Sequence, residues 1–117
     1  MCFTILPESK LLTAKEDIIC HKVLGQYENK LYSVYRNFRY KINKTYRIFR
    51  WLKSALEKEE LKFNSISRGF HSYTEIPRHY YLENVAVECI IPKGSKYYQN
   101  YCEYVSNKIK IIKILKK

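Results

Sequence analysis

The chain has 117 residues, the length of one domain, so we predict a single domain over residues 1–117 and exclude a second full one. Hydrophobic residues (46%) and aromatic residues (15%) suffice for a core without a disulfide or a metal, and they argue against a disordered chain. The 22 Lys and Arg residues outnumber the 11 Asp and Glu residues, which gives a formal net charge of +11 at pH 7. This charge favours acidic partners, namely nucleic acid, nucleotides or an acidic protein surface, although a coding bias toward Lys, Tyr, Ile and Asn would also produce it.

The cysteines indicate whether the chain binds a metal, and the apolar segments indicate its cellular compartment. Cys2, Cys20, Cys89 and Cys102 lack the spacing of a zinc site, and we predict no metal and no cofactor. No stretch has the length and apolar character of a signal sequence or a membrane span. We therefore expect a soluble cytoplasmic protein with no membrane contact and with its thiols reduced.

In chain order, the first predicted element is a strand. Residues 17–24 are apolar and β-branched up to Gly25, which predicts a strand that ends there in a turn. Residues 31–50 alternate with a period of two, which favours two strands joined by a hairpin turn at residues 43–44. A helix over residues 30–53 is the competing interpretation, because this stretch has no Gly or Pro, but its Tyr, Phe, Val, Ile and Thr residues favour strands.

The middle of the chain carries the helix signals. Residues 51–63 have higher helix propensity and are the best helix candidate. Residues 65–73 return to strand character, and Gly69 within them suggests a bulge or a close backbone approach. Thr74 as an N-cap and Pro77 in the first turn predict a second, short helix.

The last third of the chain predicts further strands. Residues 85–91 are a continuous apolar strand, and residues 92–95 are a turn. Residues 97–104 are ambiguous, whereas residues 108–115 alternate and predict a strand whose lysines line its solvated face. Together these elements predict an α+β fold, with a mostly antiparallel sheet of about five or six strands and one or two short helices.

The most informative stretch is residues 30–53. It holds eight basic residues and seven aromatic residues and no acidic one. Arginine binds phosphate and carboxylate groups through paired hydrogen bonds, and exposed aromatic rings stack on bases, so this composition is typical of a surface for RNA or an acidic protein. The alternative is that the aromatic residues form the core face of a hairpin and the arginines its solvated face. The predicted binding residues are Arg36, Arg39, Lys41, Lys44, Arg47, Arg50, Trp51 and Lys53.

A second candidate site surrounds His71. A nucleophile–base pair of Ser72 with His71 is disfavoured, because adjacent residues of a strand point to opposite faces. We expect His71 to contact a ligand or to serve the structure, and we predict no catalytic residue. The predicted pocket, which would take a small nucleotide, is lined by Arg68, His71 and Tyr73.

Four short segments carry a resemblance to known proteins. They read CHKV at 20–23, GFHSY at 69–73, VECIIPKGSKYY at 87–98 and YVSNKI at 104–109. In this order they resemble small proteins of phages and mobile elements. The late segment is also distantly similar to the final strands of ADP-ribosyltransferase-type folds, in which a Pro-Lys-Gly turn precedes the strand with the catalytic Glu. The residues that this resemblance implies for catalysis are His21, Tyr73 and Glu103.

Three functional hypotheses follow. The first is a non-enzymatic, phage-type anti-defence protein of the host-cell cytoplasm, similar in kind to anti-CRISPR inhibitors. It would engage an RNA-guided nuclease, or the RNA of that nuclease, through the basic and aromatic stretch. The second is a protein that sequesters a nucleotide immune signal in the pocket around His71. The third is a divergent ADP-ribosyltransferase-like enzyme, and of the two classes we expect binding rather than catalysis.

Overall fold

The structure is a computed structural model that describes residues 3–4, 10–33, 38–48, 65–66, 69–77 and 84–116. These residues form twelve β-strands, and no helix occurs among them. The strands are β1 (Phe3–Thr4), β2 (Leu12–Thr13), β3 (Ile18–Tyr27), β4 (Lys30–Ser33), β5 (Arg39–Tyr40), β6 (Thr45–Arg47), β7 (Ser65–Ile66), β8 (Phe70–Tyr73), β9 (Asn84–Ile91), β10 (Lys96–Gln99), β11 (Glu103–Ser106) and β12 (Lys108–Lys116).

The expectation of an α+β fold with five or six strands is therefore wrong, because the described residues form strands only and ten of these strands share one sheet. The predicted short helix after Thr74 does not form. The N–H and the hydroxyl of Thr74 both donate to the carbonyl oxygen of Cys102, at 2.9 and 3.3 Å, so Thr74 fixes a bend instead of capping a helix. The helix predicted over residues 51–63 lies outside the described residues. Within the described ranges there is no helix that has the length and hydropathy to cross a membrane.

Five of the ten strands of the large sheet follow a path that begins and ends at the same segment of chain. The order in this sheet is β2-β10-β11-β8-β3-β9-β12-β6, with β4 beside β3 and β5 beside β4, while β1 and β7 form a separate pair. All of these strand pairs are antiparallel. β11 and β12 take different neighbours, although only Asn107 separates them in the chain. The path β11-β8-β3-β9-β12 therefore begins and ends at strands that are consecutive in the chain. This part of the sheet must curve round to bring its two ends together, and we call it the ring.

Asn107 holds the ring where β11 gives way to β12. Its N–H donates to the carbonyl oxygen of Lys96 at 3.1 Å, and its side-chain oxygen accepts the N–H of Lys96 at 2.9 Å. The carbonyl oxygen of Asn107 accepts the N–H of Ile48 at 2.9 Å. Asn107 therefore connects one end of β10 and one end of β6, by hydrogen bonds, to the junction between β11 and β12.

The central strand, β3, is longer than predicted. It pairs with β9 over residues 18–25, so Gly25 lies inside the strand and does not end it. The turn falls instead at Glu28 and Asn29, whose φ angles of 50° and 63° are the two left-handed conformations that a two-residue hairpin turn requires. The following strand, β4, returns along β3.

The hairpin predicted over residues 31–50 is wrong in its pairing. Asn43 does turn the chain, with a φ of 65°, but β6 after the turn pairs with β12 and not with β5. The N–H of Asn43 donates to the carbonyl oxygen of Ile111 at 2.7 Å, so the turn lies against β12. The strand after the turn therefore pairs with β12 and not with the strand before the turn. The strands predicted over residues 85–91 and 108–115 are both present, as β9 and β12.

The core lies inside the ring, and the residues of β8 alternate between this core and the outer face. In β9, Val87 and Cys89 are buried and Glu88 and Ile90 are partly exposed, whereas residues 84–87 are all buried. Removal of the inner set from water is the main force that stabilises the fold. The core side chains are Ala14, Cys20, Leu24, Leu31, Tyr40, Phe70, Val85, Val87, Cys89, Ile91, Tyr104, Ile109 and Ile111.

Candidate functional site

Four of the predicted basic residues lie in the described segment 38–48, and all four are exposed. Arg39 belongs to β5 and Arg47 to β6, while Lys41 and Lys44 flank the turn between these strands. This segment therefore presents four positive charges to solvent. The other predicted binding residues, and one residue of the predicted pocket, lie outside the described residues; they are Arg36, Arg50, Trp51, Lys53 and Arg68.

β12 adds a second set of cations beside the first. Lys108 lies directly opposite Arg47, and Lys110 lies opposite Thr45. Lys113 follows further along the strand and is exposed. Neither segment 38–48 nor β12 contains an Asp or a Glu. We call the joined set the basic surface; its members are Arg39, Lys41, Lys44, Arg47, Lys108, Lys110 and Lys113.

Three aromatic rings pack together within the segment that carries the first set. The ring centroid of Phe38 lies 4.9 Å from that of Tyr40 and 5.3 Å from that of Tyr46, and the Tyr40 and Tyr46 centroids are 5.3 Å apart. All three contacts are edge to face, a geometry that stabilises aromatic pairs. Tyr40 is buried, whereas Phe38 is 40% exposed. The interpretation of the aromatic residues as a core face thus applies to Tyr40, and Phe38 keeps part of its ring open to solvent.

Tyr46 contacts the backbone of one lysine and the ammonium group of another. Its hydroxyl accepts the N–H of Lys41 at 2.7 Å. The Nζ atom of Lys44 lies 5.3 Å from the centroid of the Tyr46 ring, which is within the range of a cation–π contact. Because a phenol carries no negative charge, these contacts position the lysines without neutralising them.

Two residues of the predicted pocket, His71 and Tyr73, lie within the described part of the chain, on the outer face of β8. Tyr73 lines an open pocket of about 430 Å³ whose other walls include residues 74–77 and Tyr101. The described lining of this pocket does not include His71, and Arg68 lies outside the described residues.

A row of polar residues in direct register crosses the outer face of five strands. His21 of β3 lies opposite Glu88 on one side and opposite Tyr73 on the other. Glu88 in turn lies opposite Lys113, and Tyr73 lies opposite Glu103. We call these five residues the polar row. Three of them, His21, Tyr73 and Glu103, are the residues that the ADP-ribosyltransferase resemblance implies for catalysis. Glu88 and Lys113 belonged to no predicted site.

The inner face of the same strands carries two thiols and an ammonium group. Cys20 and Cys89 lie directly opposite each other and are completely buried. Their mutual hydrogen bond lowers the pKa of Cys20 and, together with burial, raises the pKa of Cys89. The Nζ atom of Lys22 donates to the carbonyl oxygen of His71 and lies 5.7 Å from the centroid of the Tyr40 ring. Burial lowers the pKa of Lys22, because a charged amine loses hydration there.

Comparisons with known proteins place the chain in no family. No family model, no curated protein and no solved structure matches it. Three features of the outer surface bear on function: the basic surface, the polar row and the open pocket beside Tyr73.

Proposed function

We propose that this chain binds single-stranded RNA through the basic surface. The observation that carries the proposal is the pairing of β6 with β12, because it joins two segments without acidic residues into one basic region. In that pairing Arg47 lies directly opposite Lys108. A phosphate group accepts hydrogen bonds from both an arginine and a lysine, so this position suits the backbone of a nucleic acid.

The arrangement of the cations favours a polymer over a small nucleotide. The cations lie on β5, β6 and β12 and in the turn between β5 and β6, and none of them lines the described pocket beside Tyr73. The open pocket beside Tyr73 has Glu75 in its wall and, among the described residues, no Lys or Arg, so it offers little to a phosphate group. The sequestration of a nucleotide signal therefore has less support than RNA binding.

One aromatic residue favours RNA over an acidic protein. Phe38 lies in the same segment as Arg39 and Lys41 and keeps 40% of its surface exposed. An exposed ring beside cations allows a base to stack while the phosphates are neutralised, which is the usual combination in proteins that bind single strands. An acidic protein would use the charges and leave this ring without a matching partner.

A narrower form of the proposal names the source of the RNA. The resemblance to small phage proteins favours the guide RNA of an RNA-guided nuclease in the host-cell cytoplasm. In that form the chain acts as an inhibitor, because it occupies the RNA or the channel that holds the RNA. Binding alone is sufficient for such an inhibitor.

Charge reversal on the basic surface tests the proposal. The variant with Arg39→Glu, Arg47→Glu and Lys108→Glu should lose affinity for a short single-stranded RNA, measured by fluorescence anisotropy over a series of salt concentrations. Each phosphate contact on a single strand contributes about 0.7 to the slope of log K against log salt, so three lost contacts should reduce that slope by about 2. These side chains are exposed or partly exposed on strands, and the variant should remain folded by circular dichroism.

The control changes the same net charge elsewhere. Lys10→Glu, Lys15→Glu and Lys93→Glu replace three exposed lysines outside the basic surface. This variant should keep the salt slope of the original protein. An equal loss in both variants would show that only the overall charge attracts RNA. Tight, salt-independent binding to a protein with no affinity for RNA would identify an acidic or apolar protein partner instead.

The narrower form has its own assay. A guide-loaded CRISPR nuclease should cleave its target more slowly when the chain is added, and the triple charge reversal should restore cleavage. RNA binding without inhibition would retain the general proposal and remove the anti-defence role.

The enzyme hypothesis has one observation in its favour, the register that brings His21, Tyr73 and Glu103 into one row. We propose it as a second candidate only. Consumption of NAD by the purified chain, lost on Glu103→Gln, would support an ADP-ribosyltransferase-like activity. Unchanged NAD in the presence of host lysate would remove it.

A further inference from the structure

The polar row begins inside the basic surface. Lys113 belongs to both, and from it the row leads through Glu88 and His21 to Tyr73 and Glu103. Side chains directly opposite each other on an antiparallel sheet have Cβ atoms about 4.5 to 5.5 Å apart. A single phosphodiester can therefore contact two or three neighbouring members of the row at once.

One member of the row, His21, has a hydrogen-bonding atom that no described residue pairs. The Nδ1 atom of His21 is buried and has no hydrogen-bond partner in the part of the chain that the structure describes. Buried polar atoms are nearly always paired, and a catalytic role is one of the explanations for an atom that is not. His21 has a carboxylate neighbour, Glu88, on one side and a phenol neighbour, Tyr73, on the other.

We propose that the polar row cleaves bound RNA by intramolecular transesterification. The inference rests on the proposed RNA binding and replaces the expectation of a protein without chemistry. The chemical reason is the combination of a carboxylate, an imidazole and an ammonium group in adjacent positions: one group accepts a proton, one donates a proton, and one stabilises the charge that develops on phosphorus-bound oxygens.

The step balances without a further reactant. The Glu88 carboxylate takes the proton of the ribose 2′-hydroxyl while the 2′ oxygen forms a bond to the adjacent phosphorus atom. The bond from phosphorus to the 5′ oxygen breaks, and the imidazolium of His21 gives its proton to that leaving oxygen. The products are one strand that ends in a 2′,3′-cyclic phosphate and one that begins with a 5′-hydroxyl. Proton exchange with water restores both side chains.

The other members of the row position the substrate. Lys113 lies directly opposite Glu88 in the register of β12 and β9, and its role in the proposed reaction is to neutralise the phosphate under attack. Tyr73 lies at the far side of His21 and lines the open pocket of about 430 Å³ together with Tyr101, which is 85% exposed. Two phenol rings at that pocket offer stacking surfaces for the base of the adjoining nucleotide.

The test uses the full chain and a short single-stranded RNA of mixed sequence labelled at its 5′ end. Cleavage should give fragments whose mass shows a 2′,3′-cyclic phosphate, and the same sequence with 2′-O-methyl groups should be bound and left intact. His21→Ala and Glu88→Gln should each slow cleavage by roughly 100-fold or more, the usual contribution of a general acid or base. Both variants should keep their RNA affinity within about twofold, because the basic surface is unchanged.

The controls separate this inference from the binding proposal and from contamination. Glu28→Gln makes the same carboxylate-to-amide change in the exposed β3–β4 turn and should cleave at the original rate. If His21→Ala fails to fold, the isosteric Glu88→Gln variant supplies the test. If RNA is bound and remains intact, the cleavage inference is overturned and the binding proposal stands. If the Glu88→Gln variant cleaves RNA at the original rate, the activity belongs to a contaminating nuclease and the inference is likewise overturned. Absence of RNA binding would overturn the proposed function itself.

Discussion

The two faces of β3 and β9 place reactive side chains in opposite surroundings. Cys20 and Cys89 meet on the inner face and are completely buried, whereas His21 and Glu88, their neighbours in the chain, meet on the outer face and are partly exposed. The inner pair is enclosed by the apolar core of the ring, and the outer pair adjoins Lys113 and solvent. The face on which a residue lies, more than its chemical type, decides which of these groups can meet a ligand.

Thiol labelling should show this difference at its largest. Cys20 and Cys89 should react with iodoacetamide only when the ring opens, whereas Cys102 is exposed and should react in the native protein. Because the folding equilibrium limits the opening, the buried thiols should react more slowly by a factor on the order of 10³ or more. Peptide mass spectrometry after timed labelling measures each site. Equal rates at Cys20 and Cys102 in folded protein would contradict the enclosed inner face.

Truncation of isoleucines on the two faces should give the next largest difference. Ile91→Ala removes a fully buried side chain and should lower the free energy of unfolding by about 2 to 5 kcal/mol. Ile19→Ala removes a side chain that is 59% exposed and should change it by about 0.5 kcal/mol or less. Denaturant titration of both variants measures the contrast. A large loss on Ile19→Ala would mean that the outer face of β3 is covered by another part of the molecule.

The pH dependence of stability should show the smallest effect, at Lys22. Burial lowers the pKa of Lys22 below the 10.5 of an exposed lysine, so the unfolded chain binds this proton more readily than the folded protein does. Between the lowered pKa and 10.5 the free energy of unfolding should therefore rise with pH, by at most about 1.4 kcal/mol per pH unit for one proton. Lys22→Met removes this contribution, so the stability difference between the original protein and the variant should change across the alkaline range.

The control for this measurement is Lys93→Met, which makes the same substitution at an exposed turn residue. Denaturant titration at several alkaline pH values compares the two variants with the original protein. The other lysines and tyrosines titrate in all three proteins and cancel in the differences. Identical pH profiles for the two variants would show that Lys22 is not held inside the ring.

Elements with a local signal could be predicted from the sequence. The continuous apolar residues of 85–91 predicted β9, and the turn at 92–95 followed from its Pro and Gly. In the structure Gly94 has a φ of 89°, and the N–H of Ser95 donates to the carbonyl oxygen of Pro92 at 3.0 Å. Both features depend on residues next to each other in the chain, so composition and order were sufficient.

The pairing of strands could not be predicted, because it depends on residues that are distant in the chain. The alternation around Thr45 indicated a strand, but nothing nearby specified that its partner would be β12. For Thr74 the N-cap pattern was misleading, since its hydroxyl found the carbonyl oxygen of Cys102 in another strand connection. Tertiary contacts overrode the local preference in both places.

In the candidate site, too, features that depend on local composition could be predicted, and features that depend on strand pairing could not. Composition identified the basic residues of 38–48, because charge and ring content can be read without knowing the fold. The polar row could not be found in this way. Alternation in β3 indicates that His21 faces away from Cys20, but only the register of five strands shows that Glu88 and Lys113 share its row.

The ring closure at Asn107 has a consequence for how the chain reaches its native state. The path β11-β8-β3-β9-β12 joins strands that are distant in the chain, so its contacts are non-local. Folds built from such contacts usually form in milliseconds to seconds, slower than helical proteins of similar size. While the strands are still unpaired, their edges can pair with another copy of the chain. A newly made molecule is therefore most vulnerable to aggregation before the strands on either side of Asn107 have found their partners.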